Sequence, residues 1–166
     1  MSEHQPSGAL VRPARTSDVR AIRTLVDRYS TDGRLLSKAT VTLFESVQEF
    51  LVAELDGEVV GCGALHVMWE DLAEVRTLAV DPHFLGRGIG SELLLAQLDR
   101  ARALGVRRVF CLTFMKKFFG AHGFTEIGDT PVDPDIYSQL LQSYDEGVAE
   151  FLGLERVKPN TLGNHR

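Results

Sequence analysis

The stretch Leu85-Gly86-Arg87-Gly88-Ile89-Gly90 is followed directly by SELLLAQLDRARALG, so glycine-rich backbone stands immediately before an amphipathic helix. Glycines leave consecutive N–H groups with little side-chain cover, and the positive end of the helix dipole lies beside them. A phosphate or pyrophosphate is the natural ligand of such a place. The segment EVRTLAV leads into it as a strand, and period-two alternation puts Glu74 and Arg76 on one face. A carboxylate there could take a proton from a reacting group, and the guanidinium could lower its pKa or hold an anionic substrate group. Either role makes this face wet. The plain alternatives are a solvated strand-end acid and a structural ion pair.

Three phosphate loops can be separated on spacing. A Walker loop needs a Gly-Lys-Ser/Thr ending, whereas Gly90 is followed by Ser91 and Glu92. A dinucleotide fingerprint needs G-x-G-x-x-G and an acidic residue about twenty positions on. Counting from Gly86 puts Ser91 at the third glycine, and the next strand, RVFCLTF, ends without a carboxylate. What remains is the acyl-CoA loop, Q/R-x-x-G-x-G/A, and the segment resembles this core motif of the GNAT N-acetyltransferase superfamily. Leu85 stands where Gln or Arg usually opens the motif, so the loop offers its amides without that side chain.

The resemblance implies a GNAT fold, α/β, whose mixed central sheet splays at the acetyl-CoA site and is flanked by helices. It implies acetyl-CoA as co-substrate. It assigns Leu85, Gly86, Arg87, Gly88, Ile89, Gly90 and Ser91 to the pyrophosphate, and the backbone of Leu78, Ala79 and Val80 to the pantetheine arm. Glu74 matches the position where many members place the general base. Many members also carry a Tyr as general acid in a pattern like F-Y-x-x-x-G-F. Here the run is Phe118-Phe119-Gly120-Ala121-His122-Gly123-Phe124, and Phe119 takes the Tyr position.

Phe at that position also fits one branch. The chain resembles the acetyltransferase domain of bacterial N-acetylglutamate synthases in Glu74 to Val80, in Phe110 to Thr113 and in Phe119 to Thr125, and most of all their short actinobacterial single-domain form. That resemblance implies an amino-acid N-acetyltransferase that acetylates the α-amino group of L-glutamate, with L-glutamine as an alternative, in the first step of arginine biosynthesis. Longer members bind substrate carboxylate through an arginine near the start of the second helix. Lys38 matches it, keeping the charge without the planar fork. Arg76 and Lys158 are the other acceptor-site candidates, with Lys116, Lys117 and Arg156 as further cations near the cleft. No segment reads as the amino-acid-kinase-like domain of the long members, so arginine feedback through it is not expected. Two other readings stay open: a GNAT enzyme for another small amine or a peptide N-terminus, and a non-catalytic acetyl-CoA-binding sensor.

Composition sets the bounds. A chain of 166 residues, 44% hydrophobic and 25% charged, suits one domain with a real core, expected over 9–166 behind a loose tail at 1–8. A formal net charge of −5 argues against a nucleic-acid surface, which needs clustered excess Lys and Arg. Cys62 and Cys111 sit in apolar runs without CxxC spacing and read as reduced, buried thiols. The five histidines are scattered, so no metal is expected. With no long apolar run and no signal-like N-terminus, a cytoplasmic protein with a small-molecule acceptor and no membrane partner is expected. A homodimer stays open.

The elements that must position these residues follow from pattern. ALVRPA reads as a strand, Thr16-Ser17-Asp18 as an N-cap, and Val19, Ile22, Leu25, Val26 and Tyr29 recur at helical spacing to Ser30. LLSKATVTLFESVQ reads as a shorter helix with Leu43, Phe44 and Val47 inward. EFLVAEL and EVVGCGALHVMW flank Asp56-Gly57 as a hairpin, although Gly61 and Gly63 weaken the second arm as a strand. After the loop and its helix come the strand RVFCLTF, the short helix KKFFGAH, the strand FTEI, an amphipathic helix over 133–152 and a closing strand around ERVKPN, before a polar C-terminus.

Overall fold

The computed structural model describes residues 7–30, 39–113, 115–127, 139 and the backbone of 161–165. The chain divides into two compact units, one built from 1–66 and 75–100, the other from 67–74 and 101–166.

In the first unit, β1 (Leu10–Pro13) runs antiparallel to β2 (Phe50–Leu55), and β2 antiparallel to β3 (Glu58–Trp69). Asp56 and Gly57 both take positive φ, at 52° and 81°, the primed turn that the Asp-Gly pair demands. β4 (Leu72–Val80) lies next to β3. α1 (Val19–Ser30) and α2 (Thr40–Glu45) cover one face of this sheet, where Val19, Ile22, Leu25, Val26 and Leu43 pack with Phe50, Val52, Cys62 and Ala79. α3 (Ile89–Leu104) covers the other, where Ile89 and Leu93 pack with Leu51, Ala53, Val60 and Val80. The alternation of Phe50 and Val52 against Leu51 and Ala53 is thus buried on both sides, as a central strand requires.

Gly61 has a packing reason rather than being a weak spot. A Cβ there would come within 3.0 Å of Leu93 Cδ1 and 3.2 Å of Ile89 Cγ2, so its absence lets the first turns of α3 lie directly on β3. Gln97, fully buried on α3, fixes the same approach by donating to the Gly63 carbonyl at 2.8 Å. Together they place the helix N-terminus.

Two local expectations are corrected. Thr16–Asp18 forms a 3₁₀ turn, and the Asp18 carboxylate turns back to accept from the Arg15 N–H at 2.7 Å and from Arg12 at 2.8 and 3.0 Å. Phe44 points outward, 42% exposed, because α2 lasts only six residues before a 3₁₀ turn at Val47–Glu49 re-aims the chain.

Arg12 also bonds Glu54 on β2 at 2.8 Å, tying β1, β2 and the entry to α1 in a mostly buried cluster. Its guanidinium, opposed by burial and aided by the Arg15 N–H, holds Asp18 below the usual carboxylate range. Arg12→Met leaves that carboxylate without its charge partner and is expected to cost roughly 3 kcal/mol at neutral pH. A depressed folded-state pKa contributes stability that is present above the ordinary Asp pKa and lost as pH falls through the folded value. The difference between wild type and variant in urea melts should therefore shrink below about pH 4.

In the second unit the start of β4 pairs in parallel with β5 (Arg108–Leu112), through Leu72↔Arg108, Ala73↔Val109 and Glu74↔Phe110. β5 pairs antiparallel with β7 (Thr161–His165), and β7 with β6 (Thr125–Glu126), so parallel and antiparallel ladders mix as the α/β expectation required. β7 is a strand within what reads in the sequence only as a polar C-terminus. TLGNH has no apolar alternation, and its pairing with strands on both sides is what makes it a strand. The expected strand at ERVKPN and all of the helix expected over 133–152 except Gln139, which is helical, lie outside the described residues. α4 (Lys116–Ala121) carries Phe119, buried edge-on against Phe124 at 5.3 Å between ring centres.

Candidate active site

β4 is the strand on which the site is built, and its backbone is irregular at one residue. Thr77 takes φ 58°, a left-handed conformation that β-branched residues rarely adopt. The Cys62 thiol, on β3, donates to the Thr77 carbonyl at 3.4 Å, and burial pushes that thiol up to about 12, so it stays protonated and donating. Both cysteines are free and buried, as expected. Among the described residues the register with β5 stops at Glu74, although β4 continues to Val80.

The strand ends in a braced corner. The Asp81 N–H donates to the Val60 carbonyl at 2.8 Å, and the Asp81 carboxylate accepts from the His83 N–H at 2.9 Å, starting a 3₁₀ turn at Pro82–Phe84. That N–H, with the imidazole of His83 and Arg28 assisting against partial burial, holds the Asp81 carboxyl below its usual range. The glycine loop follows. Gly86 and Gly88 take φ 80° and 85°, and a Cβ at Gly86 would meet nothing within 4 Å. Conformation and open space, not crowding, are what select glycine there. α3 begins at Ile89, whose side chain is buried against Leu93, so the N–H groups of its first turn have no intrahelical partners and face the loop. This is an anion site in backbone form, as the loop spacing predicts.

The side chains around it are arranged as follows. Leu85 is 61% exposed and contributes nothing polar. Arg87 lies over the Phe84 ring, 5.0 Å from its centre, and Phe84 packs, partly buried, against the core beneath α3. Leu78 and Val80 lean toward that same core, and Ala79 toward the other face. Ser91 is half-buried in the first turn. Its neighbour Glu92 is held by Ser7, whose N–H and hydroxyl reach the carboxylate at 2.8 and 3.1 Å.

Glu74 is 4% exposed, which removes the reading of it as a solvated strand-end acid; Arg76 is half-buried. Lys116 is paired with Glu126 at 2.6 Å and Lys117 is exposed. Lys38, Arg156 and Lys158 lie outside the described residues. Phe119 offers no proton. Among the described residues no group of His, Cys, Asp or Glu could hold a metal ion, and no helix is long and apolar enough to cross a membrane.

Sequence reasoning missed three features. They are the left-handed Thr77, the grip of Arg28 on Asp81 at 3.2 Å, and a hydrogen bond from the Tyr29 hydroxyl to the Val80 carbonyl. Only Tyr29 left a signal, as a polar-tipped residue at an inward helical position.

A mixed sheet whose irregular strand runs into a glycine loop and a helix N-terminus is the framework of a CoA-dependent acyltransferase. Residues 19–128 match the acetyltransferase (GNAT) family, and the chain belongs to it. It is 58% identical over 161 residues to the amino-acid acetyltransferase of Mycobacterium tuberculosis, covering 95% of this chain and 91% of that one. The crystal structure of Rv2747 from the same organism, in complex with CoA and a second ligand, superposes with a TM-score of 0.90 at 51% identity, covering 95% of this chain and 99% of that one. The amino-acid acetyltransferase of Aeromonas salmonicida is 31% identical over 76% of this chain, which spans 30% of that protein's length. The N-acetylglutamate synthase of Neisseria gonorrhoeae shares the fold, with a TM-score of 0.79 at 24% identity over 97% of this chain and 36% of that one.

Proposed function

We propose that this protein transfers the acetyl group of acetyl-CoA to the α-amino group of L-glutamate or L-glutamine, supplying the first acetylated intermediate of arginine biosynthesis in the cytoplasm. The observation that carries the reading is the run from β4 to α3, in which an irregular strand leads straight into a glycine loop at a helix N-terminus. The name of the 58% identical relative supports the amino-acid acceptor.

In this reading the pyrophosphate rests on the amides of Gly86 to Ser91, where the dipole of α3 favours negative charge. The pantetheine arm lies along the backbone of Leu78 to Val80, bonding as an added strand would. Glu74, directly or through a water, takes the proton of the acceptor ammonium, whose reference pKa of about 8 leaves it mostly protonated at neutral pH. The free amine attacks the thioester carbonyl, the C–S bond breaks, and the leaving thiolate takes up, through water, the proton that the new amide nitrogen gives up, since Phe119 has none to give. Arg76, Lys38 and Lys158 are assigned to the carboxylates of the acceptor, where a fixed cation selects acidic amino acids over polyamines.

Release of CoA thiol by purified protein across the twenty amino acids tests this. Glutamate and glutamine should give the highest kcat/KM. No release with either removes the assignment, and acetyl-CoA binding without release from any acceptor would instead mark a sensor.

A further inference from the structure

We propose that Tyr29 is a positioning residue of the acetyl-CoA site, its hydroxyl holding the Val80 carbonyl in the orientation that receives an amide N–H of the pantetheine arm; the proposal rests on the acetyl-CoA reading above.

The direction of that carbonyl follows from the ladder. The Asp81 N–H donates to Val60 on β3, and in the trans peptide that it shares with Val80 the Val80 carbonyl points the opposite way, to the other edge of the strand. A strand carbonyl outside a ladder needs a donor or water, and the Tyr29 hydroxyl is a donor to it, reaching across from the last turn of α1. A carbonyl oxygen has two lone pairs, so one phenol leaves the second free for a ligand amide. A second donor on the same oxygen is bound somewhat less strongly, so what the phenol contributes is direction: the carbonyl is held in place for the ligand amide.

Tyr29 is itself held. It packs, partly buried, against the core that α1 forms with β2 and β3, so the hydroxyl is delivered from a fixed direction rather than from a mobile side chain. The preceding residue does the same work one step along the chain, since Arg28 bonds the Asp81 carboxylate at 3.2 Å. Two successive residues of α1 thus grip two successive residues where β4 turns into the phosphate loop. A change at Tyr29 therefore acts on the arm of the cofactor and not on its phosphates.

The test separates arm from phosphates by calorimetry on the intact protein, with CoA and with adenosine 3′,5′-bisphosphate, which lacks the arm. Tyr29→Phe keeps the ring and removes only the hydroxyl. CoA affinity should fall about five- to tenfold, on the scale of one neutral hydrogen bond made by a carbonyl no longer held in direction, and bisphosphate affinity should not change. In turnover, KM for acetyl-CoA should rise by a similar factor with kcat within about twofold. Unchanged CoA affinity, or equal losses for both probes, would overturn the proposal. So would a large fall in kcat with CoA binding intact, which would make Tyr29 a proton donor instead. Wild-type protein that binds neither probe would overturn the acetyl-CoA reading itself.

Discussion

Glu74→Gln is expected to lower kcat by about 10²- to 10⁴-fold while leaving acetyl-CoA affinity almost unchanged. The swap is nearly isosteric, and at 4% exposure the side chain has little room to be replaced by bulk water acting as base. The glycine loop lies beyond the far end of β4, so the phosphate contacts assigned to it are untouched. The pH dependence distinguishes a base from a structural acid. As pH rises through the acceptor's own pKa of about 8, more amine arrives already deprotonated and the deficit should narrow. A variant whose deficit is the same at every pH would have lost architecture rather than proton transfer. One with near-normal kcat at neutral pH would move the role to an ordered water held by backbone groups.

Gly86→Val is expected to raise KM for acetyl-CoA by about 10- to 100-fold with only a small fall in melting temperature. The native φ of 80° is one a β-branched residue adopts only under strain of about 1–3 kcal/mol, and an exposed loop relieves it by rotating the peptide. Nothing of the protein lies within 4 Å of the added Cβ, so no core contact is lost. What is lost is the alignment of the amides, together with open approach to them. Because these amides act on ground state and transition state alike, the effect should fall on KM. A melting temperature that drops by ten degrees or more would instead show that the loop is a structural element of α3. An unchanged KM would show that the phosphates bind elsewhere.

The sequence by itself determined those parts of the protein that rest on neighbours in the chain. The hairpin at Asp56-Gly57 follows from the φ values its two residues tolerate, α1 from an apolar period over Val19–Ser30, and the anion loop from glycines before a helix start. Each is a local preference, decided within a few residues. Tertiary structure decided the rest. Thr77 is a poor residue for positive φ and holds it beside Cys62, fifteen positions earlier, whose thiol bonds its carbonyl. Tyr29 looked like one more inward residue of a helix; only the arrival of β4, fifty-one positions later, gives its hydroxyl a carbonyl to hold. β7 is legible in no apolar pattern because its strand conformation comes from β5 and β6. Glu74 was readable as an acid at the right place in a motif, but its burial depends on how the strands around it close. A residue type declares what chemistry it can do, whereas its exposure, its partner and the edge it faces are properties of segments distant in sequence, and only folding brings those together.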